Sequence, residues 1–138
     1  MLPRIVLDTN VLVAAMLTSG GAPSLALQLI LQGDARLLVD NRILGEYDEV
    51  TSREKFAFDS AKRRDLLQFL TAVSEHVASR PLRLALPDPE DRMFVEVAVH
   101  GRADVIVTGN TRHFVPTDGS HPTVPVLSPR QFTDQLRR

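Results

Sequence analysis

The chain has 138 residues, 43% hydrophobic and 24% charged, which fits one globular domain over 1–138 and excludes a disordered chain. A net charge of −1 gives no global attraction to nucleic acid or to an anionic membrane, and the absence of Cys excludes disulfides and thiolate metal sites. The longest apolar run, 11–17, is too short to span a bilayer and no basic segment precedes it, so we expect a soluble, cytoplasmic protein.

Short apolar runs of strand length alternate with segments of helical periodicity. Strands are predicted at 5–7, 37–39, 105–108 and 124–127, and helices at 22–32, 41–53, 60–79, 89–100 and from Ser128 onward. Gly33 and Gly101 are predicted to end two of the helices, and the sequence Ser-Pro-Arg-Gln from Ser128 fits a capping box. This alternation predicts an α/β fold whose parallel sheet is covered on both faces and binds ligands beyond the carboxyl ends of its strands.

The apolar sequence RIVLDTNVLVAA, residues 4–15, is interrupted by Asp8, Thr9 and Asn10. An ionised carboxylate in a dry core costs several kcal/mol unless it is paired, hydrogen-bonded or bound to a metal. Asp8 or Asn10 therefore caps the helix that follows the first strand, or Asp8 has a partner at the ligand-binding edge. A cap explains one Asp in isolation, and the other acids of the chain favour a site.

Glu46 falls on the apolar face of its predicted helix, three residues after Ile43 and four before Val50. A carboxylate at the rim of the core that reaches out to solvent explains the same pattern. The neighbouring Asp48 and Glu49 align less well with this face and are expected in water.

Asp91 precedes Phe94 by three residues and Val95 by four, which places it on the buried face of its helix. Asp88 and Glu90, by contrast, suit the N-terminus of that helix. Asp91 is therefore a further acid that is predicted to point inward.

Three carboxylates from separate elements at one edge of a sheet would repel one another unless a cation lay between them. Hard cations with oxygen ligands, Mg²⁺ or Mn²⁺, bind such clusters. A site of this kind supports phosphoryl chemistry in which the metal activates a water and stabilises charge on the phosphate. The pattern indicates a metal more firmly than it indicates the reaction.

Four segments together resemble the PIN-domain family, in particular the small VapC-like toxins of prokaryotic toxin–antitoxin pairs: LDTNVLVAA at 7–15, ILGEYDEV at 43–50, DPEDRMFVEVA at 88–98 and ADVIVTGNTRHF at 103–114. The resemblance implies a three-layer α/β/α fold with a central, mainly parallel twisted sheet. It also implies an endoribonuclease that uses Mg²⁺ or Mn²⁺ held by three or four acids. The partners it implies are an RNA substrate, a small antitoxin and, commonly, a second copy of the chain; Leu25, Leu29 and Gln32 are spaced to line a dimer surface, although core packing explains the leucines as well.

By position in these segments, the resemblance assigns metal binding and catalysis to Asp8, Glu46 and Asp91. The supporting residues that it assigns are Thr9, Asn10 and Thr108, with Asp88 as an additional candidate ligand. Asn110 stands where many PIN domains have Asp; its amide oxygen can coordinate a hard cation or orient a water, but it brings no charge. The residues therefore leave two interpretations open, a working nuclease or a weak or inactive PIN-like module that binds RNA or protein.

A phosphotransfer enzyme or signalling receiver on a similar sheet is the competing enzyme class. A haloacid-dehalogenase-like phosphatase needs a second Asp two residues after the first, where this chain has Asn10. A receiver needs a Lys after a late strand, whereas Lys55 and Lys62 lie earlier. Both features argue against that class.

Other polar groups are interpreted without a catalytic role. His100, His113 and His121 lack the spacing of a zinc site and are expected at the surface or in loops. The segment 19–24, SGGAPS, lacks the Lys of a phosphate-binding loop and is expected to form a turn at the rim of the site. The basic residues between 53 and 64 fit either an RNA contact or a solvated helix end.

Overall fold

The computed structural model describes residues 1–120 and 124–137, so the prediction for His121 lies outside the described residues. In this part of the chain strands alternate with helices, as the sequence predicts, but there are five strands where the sequence predicts four. The strands are β1 Arg4–Leu7, β2 Arg36–Val39, β3 Glu75–His76, β4 Val105–Val107 and β5 Val126–Leu127. The α-helices are α1 Thr9–Leu17, α2 Ala22–Leu31, α3 Asn41–Thr51, α4 Ser60–Val73, α5 Arg92–His100 and α6 Pro129–Leu136, with short 3-10 turns at Glu54–Phe56, Pro89–Asp91 and Thr111–Phe114.

The five strands form one sheet in the order β3-β2-β1-β4-β5, and every neighbouring pair is parallel. Ile5, Val6 and Leu7 of the central strand are all fully buried. Because successive side chains of a strand point to opposite faces, both faces of the sheet are covered. The predicted three-layer α/β/α fold with a parallel sheet is confirmed.

The edge strand β3 is a correction to the sequence analysis, which predicts one helix over 60–79. Helix α4 ends at Val73, and Ser74 is extended, with φ −76° and ψ 153°. Glu75 and His76 then pair with Leu38 and Val39 of β2. The outer edge of β2 has unpaired backbone groups, and a strand beside it satisfies them with hydrogen bonds. The spacing of apolar residues cannot predict this pairing, because it joins distant parts of the chain.

Two glycines end helices where the sequence predicts an end, for different physical reasons. Gly33 follows α2 with a left-handed φ of 82°, a conformation that favours glycine. Gly101 follows α5 at φ −86°, and the left-handed residue there is Arg102 at 55°. Gly101 is instead required by space, because a Cβ would approach Val77 Cγ2 to 2.8 Å and Leu38 Cδ1 to 2.9 Å.

Helix α3 is fixed to the end of β1 by a buried side chain. Tyr47 is fully buried, and its hydroxyl donates to the backbone carbonyl of Leu7 over 2.6 Å. This bond satisfies the carbonyl immediately before Asp8 and places the middle of α3 beside the carboxyl end of the sheet. Leu29, expected either in the core or on a dimer surface, packs partly buried against the core.

Among the described residues, no single helix is long and apolar enough to cross a membrane; α1 and α2 reach the required length and composition only together, with a bend of 102° between them.

Candidate active site

Asp8 leaves the central strand as a buried acid, 7% exposed. Its backbone amide extends the sheet ladder by donating to Val107 over 2.9 Å, and its side chain makes no capping hydrogen bond to α1. Its Oδ2 instead accepts the Thr108 hydroxyl over 2.8 Å. Burial raises the pKa of Asp8, while Thr108 and the nearby amides of Thr9 and Asn10 lower it in part. The residue is thus directed toward the strand ends rather than used as a cap.

Glu46 is half-buried on α3, whereas Asp48 and Glu49 are exposed and paired with Arg63 and Arg53. This contrast is the one that the helical periodicity predicts. The Thr9 hydroxyl donates to Glu46 Oε2, which joins the start of α1 to α3. Burial raises the pKa of Glu46, and the negative charge of Asp8 raises it further.

Asp91 closes the 3-10 turn before α5, and its side chain is 17% exposed. Its pKa is raised from 3.8 to about 6, first by burial and then by the charges of Asp8 and Asp88, with a smaller contribution from Glu46. Asp88 itself caps the turn by accepting from the Glu90 amide over 2.9 Å, as its position before Pro89 suggests. The structure therefore brings Asp8, Glu46 and Asp91 within electrostatic range of one another.

The loop after β4 is tied to the start of α1. Asn10 Oδ1 accepts from the Gly109 amide over 3.0 Å, and Thr108 Oγ1 accepts from the Asn110 amide over 3.0 Å. Thr108 is fully buried, and its hydroxyl supports both Asp8 and the backbone of the loop through these hydrogen bonds. The supporting positions named by the sequence thus lie around the acids.

His113 lies closer to the acids than the sequence suggests. It belongs to a 3-10 turn and is half-exposed, as expected of a loop residue. Its Nδ1 nevertheless lies 3.9 Å from Asp91 Oδ2, and its Nε2 is 3.0 Å from Asn110 Nδ2. Because an amide nitrogen only donates, this contact makes Nε2 the acceptor. Linear spacing could not reveal this position, since the turn places it.

Arg42 and Glu96 are site neighbours that the sequence analysis misses. Glu96 is 4% exposed in the middle of α5, and its carboxylate accepts from Arg42 Nη1 over 2.7 Å and from the Leu82 amide over 2.9 Å. Arg42 also donates to Asp40 Oδ2, over 2.7 and 2.9 Å. One signal in the sequence indicates that Glu96 needs a partner, because it is a lone acid inside the apolar run FVEVAV, but it does not identify Arg42 as that partner.

The donor atoms around this edge fit a hard divalent cation, because they are carboxylate, hydroxyl and amide oxygens. No group of three His, Asp or Glu side chains within 1–120 and 124–137 is already gathered tightly enough to hold a metal ion. The residues therefore fit a cation in the chemistry of their donor atoms and in their shared location at this edge of the sheet.

Two flanking segments bear on interpretations that the sequence left open or placed at the rim of the site. The span 48–65 contains five basic and five acidic residues, so the basic residues there create no net positive surface. The 19–24 turn lies against α6, where it lines a cavity of about 360 Å³ with Arg130 and Arg137. None of the residues assigned to the site lines that cavity.

Comparison with known proteins agrees with this architecture. A chain of the VapBC2 complex from Rickettsia felis, solved bound to a DNA fragment from their promoter, superposes with a TM-score of 0.58 at 14% identity, covering 91% of this chain and 98% of that chain. At this identity the similarity shows the fold alone. No curated protein matches the chain. The model of the PIN domain family matches residues 4–112, which include Asp8, Glu46, Asp91 and Asn110. The chain belongs to the PIN-domain family.

Proposed function

We propose that this protein is a Mg²⁺- or Mn²⁺-dependent endoribonuclease that hydrolyses RNA phosphodiesters and forms the toxin half of a toxin–antitoxin pair. PIN-domain proteins are in general nucleases, which are hydrolases. The observation that carries the proposal is the mutual repulsion of Asp8, Glu46 and Asp91, since Asp8 raises the pKa of both other acids. Acids that oppose one another at the ligand-binding edge of a sheet cost stability and are retained for binding or chemistry.

In this proposal Asp8, Glu46 and Asp91 hold the metal. A bound Mg²⁺ or Mn²⁺ would supply positive charge that stabilises the phosphate and lowers the pKa of water. The Thr108 and Thr9 hydroxyls orient Asp8 and Glu46, because each donates to one oxygen of the carboxylate. Local positive charge is what would let a protein of net charge −1 attract RNA.

Asn110 has a distinct place in this scheme. Its backbone is held by Thr108, and its side-chain nitrogen is engaged by His113. This orientation turns the amide oxygen away from His113, so that it is the atom available to a cation or to a water. Asp88, used as a helix cap, contributes charge near Asp91 and is the weaker candidate ligand.

The antitoxin partner rests on fold similarity. The similar R. felis chain comes from a VapBC2 complex bound to promoter DNA. A small protein that covers the acidic edge would be the corresponding partner of this chain. Co-expression with the product of an adjacent small gene, followed by size-exclusion chromatography, tests this part of the proposal.

The test of activity is cleavage of a pool of labelled RNA with Mn²⁺, with Mg²⁺ and with EDTA. The parent is compared with Asp8→Asn and with Asp65→Asn, a matched control that neutralises an exposed acid on α4. We expect metal-dependent cutting in the parent and the control, reduced at least about 100-fold in Asp8→Asn. Equal cutting by all three proteins would mean a contaminating nuclease and would overturn the proposal.

One observation favours the alternative of a weak or inactive module that binds RNA or protein. The fourth position of the acid set is the neutral Asn110, already engaged by His113. On this alternative, the parent binds single-stranded RNA in gel-shift assays with Mg²⁺ but leaves it intact. Cleavage that Asp8→Asn abolishes would exclude the alternative.

A further inference from the structure

The ion pair between the half-exposed Arg42 and the buried Glu96 is a charge network that the proposed activity does not itself use. Glu96 is flanked on α5 by Val95 and Val97, both buried, and a lone acid there would be strongly destabilising. Its two hydrogen bonds, to Arg42 and to the Leu82 amide, compensate that burial.

The N–H groups of Arg42 donate to other groups of the protein. Besides Glu96 it reaches Asp40 through Nε and Nη2, and Ser79 Oγ through Nη2 over 3.0 Å. A guanidinium has five N–H groups, so these bonds leave little capacity for a phosphate. Its two acidic partners also make the group locally negative. The network is therefore built to join protein elements, not to bind RNA.

The elements that the network joins are those that carry two of the acids. Arg42 lies four residues before Glu46, one turn or about 6 Å along α3. Glu96 lies five residues after Asp91, on the helix that this residue begins. Arg42, Glu46 and Glu96 line one cleft of about 580 Å³ between α3 and the start of α5. The ion pair thus crosses between the two helices next to the acids.

One of the acids lies on α3, and another lies at the start of α5. Glu46 and Asp91 carry like charges, and within 1–120 and 124–137 no Arg or Lys forms an ion pair with either. Like charges on neighbouring elements favour separation of those elements. A multiply hydrogen-bonded ion pair one turn away, with Glu96 buried and Arg42 half-exposed, opposes that separation.

We infer that Arg42 and Glu96 are positioning residues, whose ion pair fixes α3 against α5 and so sets the spacing between the Glu46 and Asp91 carboxylates. The inference rests on the proposed function, because the spacing matters for holding a cation. It predicts that loosening the pair weakens metal binding by protein that remains folded.

The test is Mn²⁺ binding, followed by the electron paramagnetic resonance signal of free Mn²⁺, on proteins shown to be folded by circular dichroism. Glu96→Gln keeps the side-chain shape and removes the charge. Arg42→Lys keeps the charge and loses the fork that reaches Asp40, Ser79 and Glu96 together. We expect the Kd for Mn²⁺ to rise about tenfold in Glu96→Gln and less in Arg42→Lys. Combining both changes should add little to Glu96→Gln alone, because both act through one contact.

The matched control is Glu75→Gln, which breaks the ion pair between Arg4 and Glu75, another pair that joins separate elements. Its thermal midpoint should fall while its Mn²⁺ affinity stays within twofold of the parent. Folded Glu96→Gln and Arg42→Lys proteins that bind Mn²⁺ like the parent would overturn the inference and leave the pair a purely structural one. A parent that binds no more Mn²⁺ than Asp8→Asn would overturn the proposed function and, with it, this inference.

Discussion

Acidic side chains at the two ends of the strands have opposite environments. Near the strand beginnings, Glu75 accepts two hydrogen bonds from the Arg4 guanidinium, over 2.6 and 2.9 Å, and Asp104 accepts from the Arg4 amide over 2.8 Å. The Arg4 bonds lower the pKa of Glu75. Near the strand ends, Asp8 and Asp91 have raised pKa values because they are buried, and in Asp91 because other acids face it as well.

The acids near the strand beginnings stabilise the folded protein, whereas those near the strand ends destabilise it. A carboxylate whose pKa falls on folding adds stability at neutral pH, and one whose pKa rises subtracts it. The amino-terminal edge therefore contributes to stability, and the carboxyl-terminal edge lowers it, as the proposed site would require. Mutations at the two edges should therefore have opposite effects on stability.

The largest expected effect is on catalysis. Asp91→Asn should lower the rate of RNA cleavage at least about 100-fold, because it removes a proposed metal ligand, while Glu75→Gln at the other edge leaves the rate unchanged. Initial rates on a fluorescent RNA with Mn²⁺ measure both. Parental cleavage by Asp91→Asn would remove this residue from the site.

Adding an acid to the site should strengthen metal binding. Asn110→Asp supplies a fourth carboxylate, so we expect Mn²⁺ to bind about tenfold more tightly. The same change should lower the thermal midpoint in EDTA, because the added charge meets three others. Isothermal titration and a melting curve on one preparation test both effects. An unchanged affinity would mean that residue 110 does not face the cation.

Lowering the pH should stabilise the metal-free protein over a defined pH range. The pKa of Asp91 is 3.8 ordinarily and about 6 when folded, so the folded state binds more protons between these values and stability rises as the pH falls through about 6. We expect a gain of about 1 kcal/mol in the free energy of unfolding from pH 7.5 to pH 5, measured by urea titration in EDTA. Asp91→Asn should flatten this dependence.

The contribution of Glu75 to stability depends on pH in the opposite direction, and it changes over a lower pH range. Its pKa is lowered by Arg4, so its contribution is present above the ordinary pKa of 4.5 and is lost as the pH falls through the folded value. It does not cancel the Asp91 effect above pH 5. A parent whose stability falls steadily from pH 7.5 to pH 5 would contradict the raised pKa of Asp91.

The smallest effect is expected at the amino-terminal edge. Arg4→Met should cost about 0.5–1 kcal/mol in the free energy of unfolding, because the pair with Glu75 is partly exposed and screened by solvent. The same urea titration in 1 M NaCl should narrow the gap between variant and parent. A gap that salt leaves unchanged would indicate packing by the Arg4 stem instead of charge.

The sequence predicts the elements whose signals are local. The helix that begins after Ser128 is one example, because its capping box needs only neighbours: Ser128 Oγ accepts from the Gln131 amide over 3.1 Å, and Gln131 Oε1 accepts from the Ser128 amide over 2.9 Å. The inward position of Glu46 is also local, since helical periodicity determines which face of α3 it occupies. Asp91 lies in the 3-10 turn before α5, so the periodicity of that helix does not account for its position.

The features that the sequence analysis misses depend on residues far apart in the chain. Strand β3 forms because β2 offers it an edge, and His113 reaches Asp91 because a turn after β4 places it there. Glu96 and Arg42 are 54 residues apart, and nothing near either one identifies the other. Contacts between residues far apart in the chain can be identified only once the fold is known. The family motifs, by contrast, identify the acids from the sequence alone.

The hydrogen bond from Tyr47 to the Leu7 carbonyl has a consequence for protein engineering. Tyr47 belongs to the core and follows Glu46, while Leu7 precedes Asp8, so one buried bond links the residues next to two of the acids. A substitution that displaces the Tyr47 ring is therefore expected to displace both acids. A programme that selects variants for thermal stability alone would therefore drift toward well-folded proteins with impaired sites, and substitutions around Tyr47 are the ones to screen for function first.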